Sequence, residues 1–511
     1  MTKITFLTTC CLLLFFHWGN AQVISSKVLD SATQKPIPYA TVLLSNKKGV
    51  ITNEEGRFSI RLNDQMQPTD SLFISCIGYE SIGKPLNQFT EPVIFMRSKA
   101  IELKSVILTN KNFTPEEIIA KVKANLDKNY NRDFTKKKLF FRESYHNYLA
   151  KTDYTFKKST IKELNKAFLD SVIQSVPKRD DRYTEVLCDL YGNYDRKNQK
   201  IKLIKASELY DKSSELDLTS LEERFNKIIK DNVKPNSYFK IKSGIFGTKV
   251  GADEIFDEAE DEEKNEDAEA LKKELEAKKK REELRKKNFA LYRRNTMAGL
   301  FDQFFFMEDS KLNFLRKSKR YEFTQVDFTY LGDDAVYILD FKPKRSADYK
   351  GRLYINSDDF AIIRVDYDNV KPLRNFRLLG ISMKEYLDSG KMIFSKGAND
   401  KYDLRFLESE SANRVGIRRP LKIIEKNKFV KGRRKQNELS VKIDMAVTSR
   451  NKYEIVIFDT EHVSNSIFEG VAENNAVLPT YMPRYDASFW EGYNIIEPNQ
   501  AIKEFTATTE E

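Results

Sequence analysis

The sequence is poor in the residues on which most catalysis depends. Only three histidines occur in 511 residues, and His17 lies in an apolar stretch at the N-terminus. The other two, His146 and His462, do not start a His-x-x-Glu pattern, because Leu149 and Asn465 stand at the fourth positions. The closely spaced ligands of a zinc peptidase are therefore missing. Cysteine is equally scarce. Cys10 and Cys11 fall in the N-terminal apolar stretch, leaving Cys76 and Cys188 in different expected domains, which is no disulfide framework. Cys76 lies in Phe73-Ile74-Ser75-Cys76-Ile77, an apolar strand in which it reads as a buried thiol. Glycine is sparse: Gly244, Gly247 and Gly251 surround Lys249 without phosphate-loop spacing, and no Gly-x-Ser-x-Gly elbow occurs. The acid pairs Asp333-Asp334 and Asp358-Asp359 fall in expected hairpin turns, where Asp bonds its own backbone. A glycosidase can draw two carboxylates from distant positions, but nothing here singles out a pair. The sequence thus assigns no catalytic, metal-ligating or cofactor-binding residue, and a protein without enzymatic activity or cofactor is expected. Past residue 21, no apolar run approaches the roughly 20 residues of a spanning helix.

What is present begins with an export pattern. Lys3 supplies positive charge, Ile4 to Phe16 is largely apolar, and Gly19-Asn20-Ala21 offers small residues at a cleavage site. A lipidated cysteine would follow the apolar run, whereas Cys10 and Cys11 precede Leu12 to Phe16. Residues 1–21 are expected to be a signal peptide, with Gln22 beginning a mature chain in the periplasm or on the periplasmic face of the outer membrane. Charged residues make up 32% of the chain, and the net charge of +11 favours anionic neighbours. An exported chain with no nucleic-acid motif is not expected to bind nucleic acid. With Thr509-Glu510-Glu511 in place of a terminal aromatic, and charges on both faces of the strands, an outer-membrane barrel is not expected.

From Val23 to Leu108 short apolar runs alternate with turn signals. Val23 to Leu29, Ile37 to Leu44, a run through Phe58 and Ile60, Ser71 to Ile77, Tyr79 to Ile82 and Val93 to Met96 read as strands. Asn46 to Gly49 and Asn53-Glu54-Glu55-Gly56 read as turns between them. That rhythm predicts a β-sandwich over residues 22–109. Pro38-Tyr39-Ala40-Thr41-Val42, Gly49, Thr52 to Phe58 and Ile77-Gly78-Tyr79, closed by Leu103 to Ile107, resemble the carboxypeptidase regulatory-like domain of Bacteroidota envelope proteins. Tyr39 stands where that family commonly has glycine, and Asn53 where it has aspartate. The resemblance implies an Ig-like accessory domain without catalytic residues.

Beyond it the pattern predicts an α+β region with a large antiparallel sheet, in a first part at 110–251 and a second at 291–511. Thr114, Pro115 and Glu117 open a helix with a capping box, followed by Ile118, Ile119, Val122, Leu126 and Tyr130 on one face. Leu139 to Glu143, Tyr183 to Tyr194 and Lys200 to Leu209 read as strands, and Thr219 with Glu222 as the capping box of another helix. Residues 252–290 form a charged insert, acidic over Asp253 to Asp267 and basic over Lys272 to Lys287, expected as a solvated helix or a disordered excursion. The segment around Asn129-Tyr130 and Phe141-Arg142-Glu143, and the tail Phe489 to Ile496, resemble an uncharacterised group of envelope proteins; Trp490 and Tyr493 are expected to dock the tail onto the sheet.

From Arg320 onward apolar residues alternate with polar ones, with Asn356 to Asp359 turning the chain between two strands. Tyr337 to Pro343, Gly351 to Asn356 and Phe360 to Val365 resemble the sheets of lipoprotein carriers, open half-barrels that hold acyl chains on the concave face. That resemblance marks Leu339, Phe341, Leu353, Ile355, Ile363 and Val365 as a candidate hydrophobic ligand face. The competing expectation is a sheet face filled by the chain's own helices. Together these readings predict an exported, non-enzymatic binding or scaffolding protein with an envelope protein or lipid as partner. The alternative is a periplasmic carrier of lipid or acylated protein.

Overall fold

The computed structural model describes residues 23–45, 48–62, 66–99, 113–234, 236–244, 246–251, 268–344, 346–397, 399–430, 434–473 and 476–507, and their side chains except at 213–220, 222–223, 268–278 and 282. The expected signal peptide, the segment Leu103 to Ile107 and the acidic tract Asp253 to Asp267 lie outside the described residues. The chain divides into two compact units. The first comprises residues 1–108, 329–335 and 486–499, and the second comprises 109–328, 336–485 and 500–511.

The first unit holds β1 (Val23–Asp30), β2 (Thr41–Leu44), β3 (Gly49–Ile51), β4 (Arg57–Arg61), β5 (Ser71–Ser75), β6 (Ile82–Pro85) and β7 (Val93–Met96). They form two small sheets, β4-β1-β7 and β3-β2-β5-β6. Ile24 and Val28, Val42 and Leu44, Phe58 and Ile60, Leu72 and Ile74, and Ile94 and Met96 are all buried. This is the period-two signature of strands with one face inward. The expected strand Ile37 to Leu44 starts only at Thr41, because Tyr39 has φ +61°, a left-handed conformation that interrupts a strand. Glycine adopts such a backbone without strain. Asn53 does the work of the usual aspartate: its Oδ1 accepts from the N–H groups of Glu55 (3.0 Å) and Arg57 (2.9 Å). Its Nδ2 also donates to the carbonyl of Glu497 at 3.2 Å, a bond that aspartate could not make. The strand expected at Tyr79 to Ile82 runs instead over Ile82–Pro85. Cys76 lies just past the end of β5 and is half-buried rather than enclosed.

The tail corrects another expectation. Residues 486–499 belong to this first unit, where Asn494 Oδ1 accepts from the backbone N–H of Arg61 in β4 at 2.7 Å. Trp490 is buried and Tyr493 exposed. The tail's aromatic segment thus belongs to the small unit.

The second unit is built on β8 (Thr135–Ser159), β9 (Arg179–Gly192), β10 (Gln199–Leu209), β11 (Ser237–Ser243), β12 (Phe246–Gly251), β13 (Tyr321–Leu331) and β14 (Asp334–Pro343), except that residues 329–331 of β13 and 334–335 of β14 are counted with the first. It continues through β15 (Tyr349–Asn356), β16 (Ile362–Asn369), β17 (Arg374–Leu378), β18 (Ile381–Lys396), β19 (Tyr402–Asn427), β20 (Lys435–His462) and β21 (Thr480–Met482). One sheet joins them in the order β13-β14-β15-β16-β18-β19-β20-β8-β9-β10-β21, with β11 on β19, β12 on β11 and β17 on β18. From β14 to β10 every neighbour is antiparallel, and β21 runs parallel to β10. The expected α+β character is thus met mainly by the sheet, with few helices beside it.

Those helices are α1 (Pro115–Asn129), α2 (Lys166–Ser175), α3 (Ser213–Asn232) and α4 (Ala268–Phe301). The capping box of α1 forms as expected: Thr114 accepts from the N–H of Glu117, whose carboxylate accepts from the N–H of Thr114. Helix α3 begins at Ser213, so Thr219 lies inside it and not at its start. Helix α4 runs unbroken across the expected end of the charged insert at 290. Leu284 is exposed, but Phe289 and Ala290 are buried, as are Met297, Ala298, Leu300 and Phe301. The solvated stretch therefore gives way to a core helix within one element.

Candidate binding sites

Strand register sorts the centre of the large sheet into two opposite faces. Leu339, Leu353, Val365, Met392, Leu407, Ile455, Phe141, Val186 and Ala206 follow one another across nine strands, and all are buried. The six residues of the expected ligand face, Leu339, Phe341, Leu353, Ile355, Ile363 and Val365, occupy alternate positions of β14, β15 and β16 and are likewise buried. The chain's own aromatics lie against this face. Phe314 stacks on Phe341 with ring centroids 4.6 Å apart, and the Tyr367 hydroxyl donates to Gln303 Oε1 at 3.1 Å. Arg293 of α4 pairs with Glu143 of β8. Two glycines make room for the rings. A Cβ on Gly351 would come 2.8 Å from the Phe341 ring, and one on Gly390 would come 2.5 Å from the Tyr367 hydroxyl. Phe305, Phe306, Phe394 and Tyr130 close the same core, with Tyr130 stacked on Phe306 at 4.7 Å. Each such side chain contributes about 1.5–3 kcal/mol on burial, so a ligand entering here would have to displace strongly held neighbours.

The next residue of each strand faces the other way. Asp340, Arg352, Asp366, Lys391, Glu408, Glu454, Arg142, Glu185 and Ser207 form a charged row in the same register. Their charges pair off: Arg352 with Asp340 at 2.6 Å, Lys391 with Glu408 at 3.5 Å, and Arg142 with Glu185 at 2.6 Å and Glu454 at 3.6 Å. Glu408 and Glu454 are direct neighbours, but Lys452 approaches both, at 3.1 and 4.0 Å. The row therefore presents no isolated pair of carboxylates sharing a proton. Burial opposes the charge on Arg142, yet its two carboxylates outweigh that cost and raise its pKa. An open cleft of about 680 Å³ runs over Asp340, Arg352, Asp366 and Lys391.

His146 lies in β8 with Nδ1 2.7 Å from Asp181 Oδ1 and its ring edge-on to Tyr183. Burial raises the Asp181 pKa, but hydrogen bonding and charge from His146 and Arg179 bring it below the usual value. This is a hydrogen-bonded contact between strands, and among the described residues no group of three His, Cys, Asp or Glu side chains could hold a metal. His462 ends β20.

A third site escaped the sequence reading. β8, β19 and β20 have 25, 26 and 28 residues, far longer than their neighbours, and at their ends they carry α2, α3 and the β11–β12 hairpin. Ile161, Leu164, Phe168, Ile228, Ile229, Val233 and Phe239 make a separate core there. Beside it lies a pocket of about 180 Å³. Phe225 and Ile229 of α3 line it, with Phe239 and Ile241 of β11, Val250 of β12, and Ile423 and Leu439 from β19 and β20. Glu425 borders it but is turned to its own partners. It accepts from Ser237 Oγ (2.7 Å), Asn437 Nδ2 (2.7 Å) and the N–H of Lys234 (3.2 Å). The apolar alternation of Phe239 and Ile241 was visible in the sequence, but their pairing with Glu425 and Ile423, nearly two hundred residues away, was not.

Comparison with known proteins agrees with the first unit's strands. Residues 24–108 match the family model of the CarboxypepD_reg-like domain. No curated protein matches the chain. One solved structure aligned with it comes from Bacteroides fragilis and is described, conjecturally, as membrane-associated and of unknown function. It shares 9% identity, covers 84% of this chain and 97% of its own, and superposes with a TM-score of 0.13.

Proposed function

We propose that this chain is a non-enzymatic binding or scaffolding protein of the cell envelope, exported and facing the periplasm, that holds another protein through the β17–β18 hairpin. One observation carries this reading. Phe376, Leu378, Leu379, Ile381, Val415 and Ile417 are large apolar residues, and all are exposed. Strand register gathers them, pairing Leu378 with Ile381, Ile381 with Ile417, and Met383 with both Phe376 and Val415. Apolar surface collected in this way marks interaction sites more often than chance scatter does. β17 is also an edge strand: among the described residues it pairs only with β18, so its other side offers unpaired backbone groups to an added strand. The non-catalytic CarboxypepD_reg-like domain is consistent with such a role, and the export pattern at residues 1–21 supports the compartment. The filled face at Leu339 and Phe341 weighs against carriage of lipid on that side of the sheet.

The test is native mass spectrometry of the protein purified from its own envelope, beside a variant carrying Leu378→Glu and Ile417→Glu. A co-purifying protein that is lost in the variant supports the reading. Wild-type protein that travels alone, or a partner that the variant retains, overturns it.

A further inference from the structure

We propose that the pocket between α3 and the ends of β19 and β20 binds a straight alkyl chain. This site is separate from the β17 edge and does not depend on what docks there. The pocket holds about 180 Å³, and a cavity of about 150 Å³ with a similar lining accepts a benzene ring. The space here is somewhat larger than that cavity and takes a short alkyl chain. Its walls are branched aliphatics from helix and strand, with Phe225 and Phe239 as the two rings.

The chemistry of the walls narrows the ligand class. Pocket-binding sites normally combine an apolar lining with a few placed polar groups that orient the ligand. Here the nearby carboxylate of Glu425 is occupied by Ser237, Asn437 and the Lys234 N–H. Glu438, the other bordering acid, is engaged by Lys158 at 2.9 Å and Lys422 at 2.8 Å. A heteroaromatic or sugar would therefore bury polar atoms against carbon, which costs free energy without compensation. An alkyl chain buries no polar atom on entry and adapts its torsions to irregular walls. Its polar head stays outside, past Phe225, whose ring is exposed at the rim. A free fatty acid and the acyl chain of a phospholipid share this chemistry.

The experiment is calorimetric titration of the full chain with sodium hexanoate, octanoate and decanoate, a lysophospholipid with a ten-carbon chain, and toluene. Affinity is expected to rise about fourfold per added methylene and to level off once the pocket is full. Binding of decanoate alone identifies a free-acid site, and binding of the lysophospholipid as well identifies a chain-reading site; either supports the proposal. Two variants guard the interpretation. Ile241→Trp fills the pocket from β11, and Phe225→Glu places a charge in its wall at a position 38% exposed. Each is expected to weaken decanoate at least tenfold, while Leu378→Glu leaves it unchanged. The proposal fails if affinity ignores chain length, if toluene binds and decanoate does not, or if both pocket variants fold and bind decanoate normally.

Discussion

Arg142 and Glu185 meet across β8 and β9 with Nη2 and Oε1 2.6 Å apart, and their side chains are 1% and 0% exposed. A pair so deeply buried repays its desolvation only through close geometry and further partners. Here Glu454, 8% exposed at the side chain, supplies a second carboxylate to the same guanidinium. Arg142→Met should therefore cost about 3–5 kcal/mol, because it strands two buried acids. Adding Glu185→Leu should recover most of the loss. Hydrogen exchange at the amides of β8 and β9 checks both, and a double variant as unstable as the single one would refute the account.

A second prediction concerns Lys137, which is buried with its ammonium bonded to Thr135 and within 3.3 Å of the Gly192 carbonyl. Burial brings its pKa down to about 8 from the ordinary 10.5, against the opposing pull of Asp403. The folded state thus sheds this proton before the unfolded state does, so stability should rise with pH from about 8 towards 10.5. Above 10 the trend is opposed, because burial pushes Tyr183 and Tyr321 up to about 12 and the unfolded chain ionises its tyrosines first. Lys137→Met should abolish the rise between pH 8 and 10 and stabilise the protein near pH 7 by up to about 3 kcal/mol. Urea melts across that pH range decide it; an unchanged slope would rule out Lys137 as the source.

Gly56 has φ +73°, and a Cβ there would stand 2.5 Å from the carbonyl oxygen of Val28. Gly56→Val in the full chain should cost the first unit about 1–3 kcal/mol from backbone strain alone, and the clash adds to that. Faster amide exchange in β1 and β4, with the large sheet unaffected, is the expected outcome.

The charged stretch ahead of Phe289 should be dispensable. Leu284 is exposed, and loop length alters closure entropy by only about 0.6 kcal/mol per doubling. Replacing residues 253–283 with a short Gly/Ser linker keeps Arg285, which approaches Glu208 at 3.6 Å, and should leave the melting temperature within a few degrees. By contrast, Phe289→Ala should cost about 3 kcal/mol by emptying a core position. Equal losses from the two changes would show that the stretch packs after all.

The sequence by itself determined which residues of each segment share a face. Alternation placed Leu339, Phe341, Leu353 and Val365 together, Thr114 and Glu117 announced the start of α1, and Asn356 to Asp359 marked a turn. These are local properties, set by the period-two geometry of a strand and by side chains that bond their own backbone. Tertiary structure decided who lies beside whom. Nothing local tells β8 to pair with β20 some three hundred residues later, yet that register sets Arg142 opposite Glu454 and assembles the charged row. It likewise decided that Phe314 fills the face on which a ligand was expected, that residues 486–499 serve the small unit, and that a pocket opens where α3 meets β11 and β19. Alternation fixes the direction in which a side chain points, but only the folded chain fixes what it meets there.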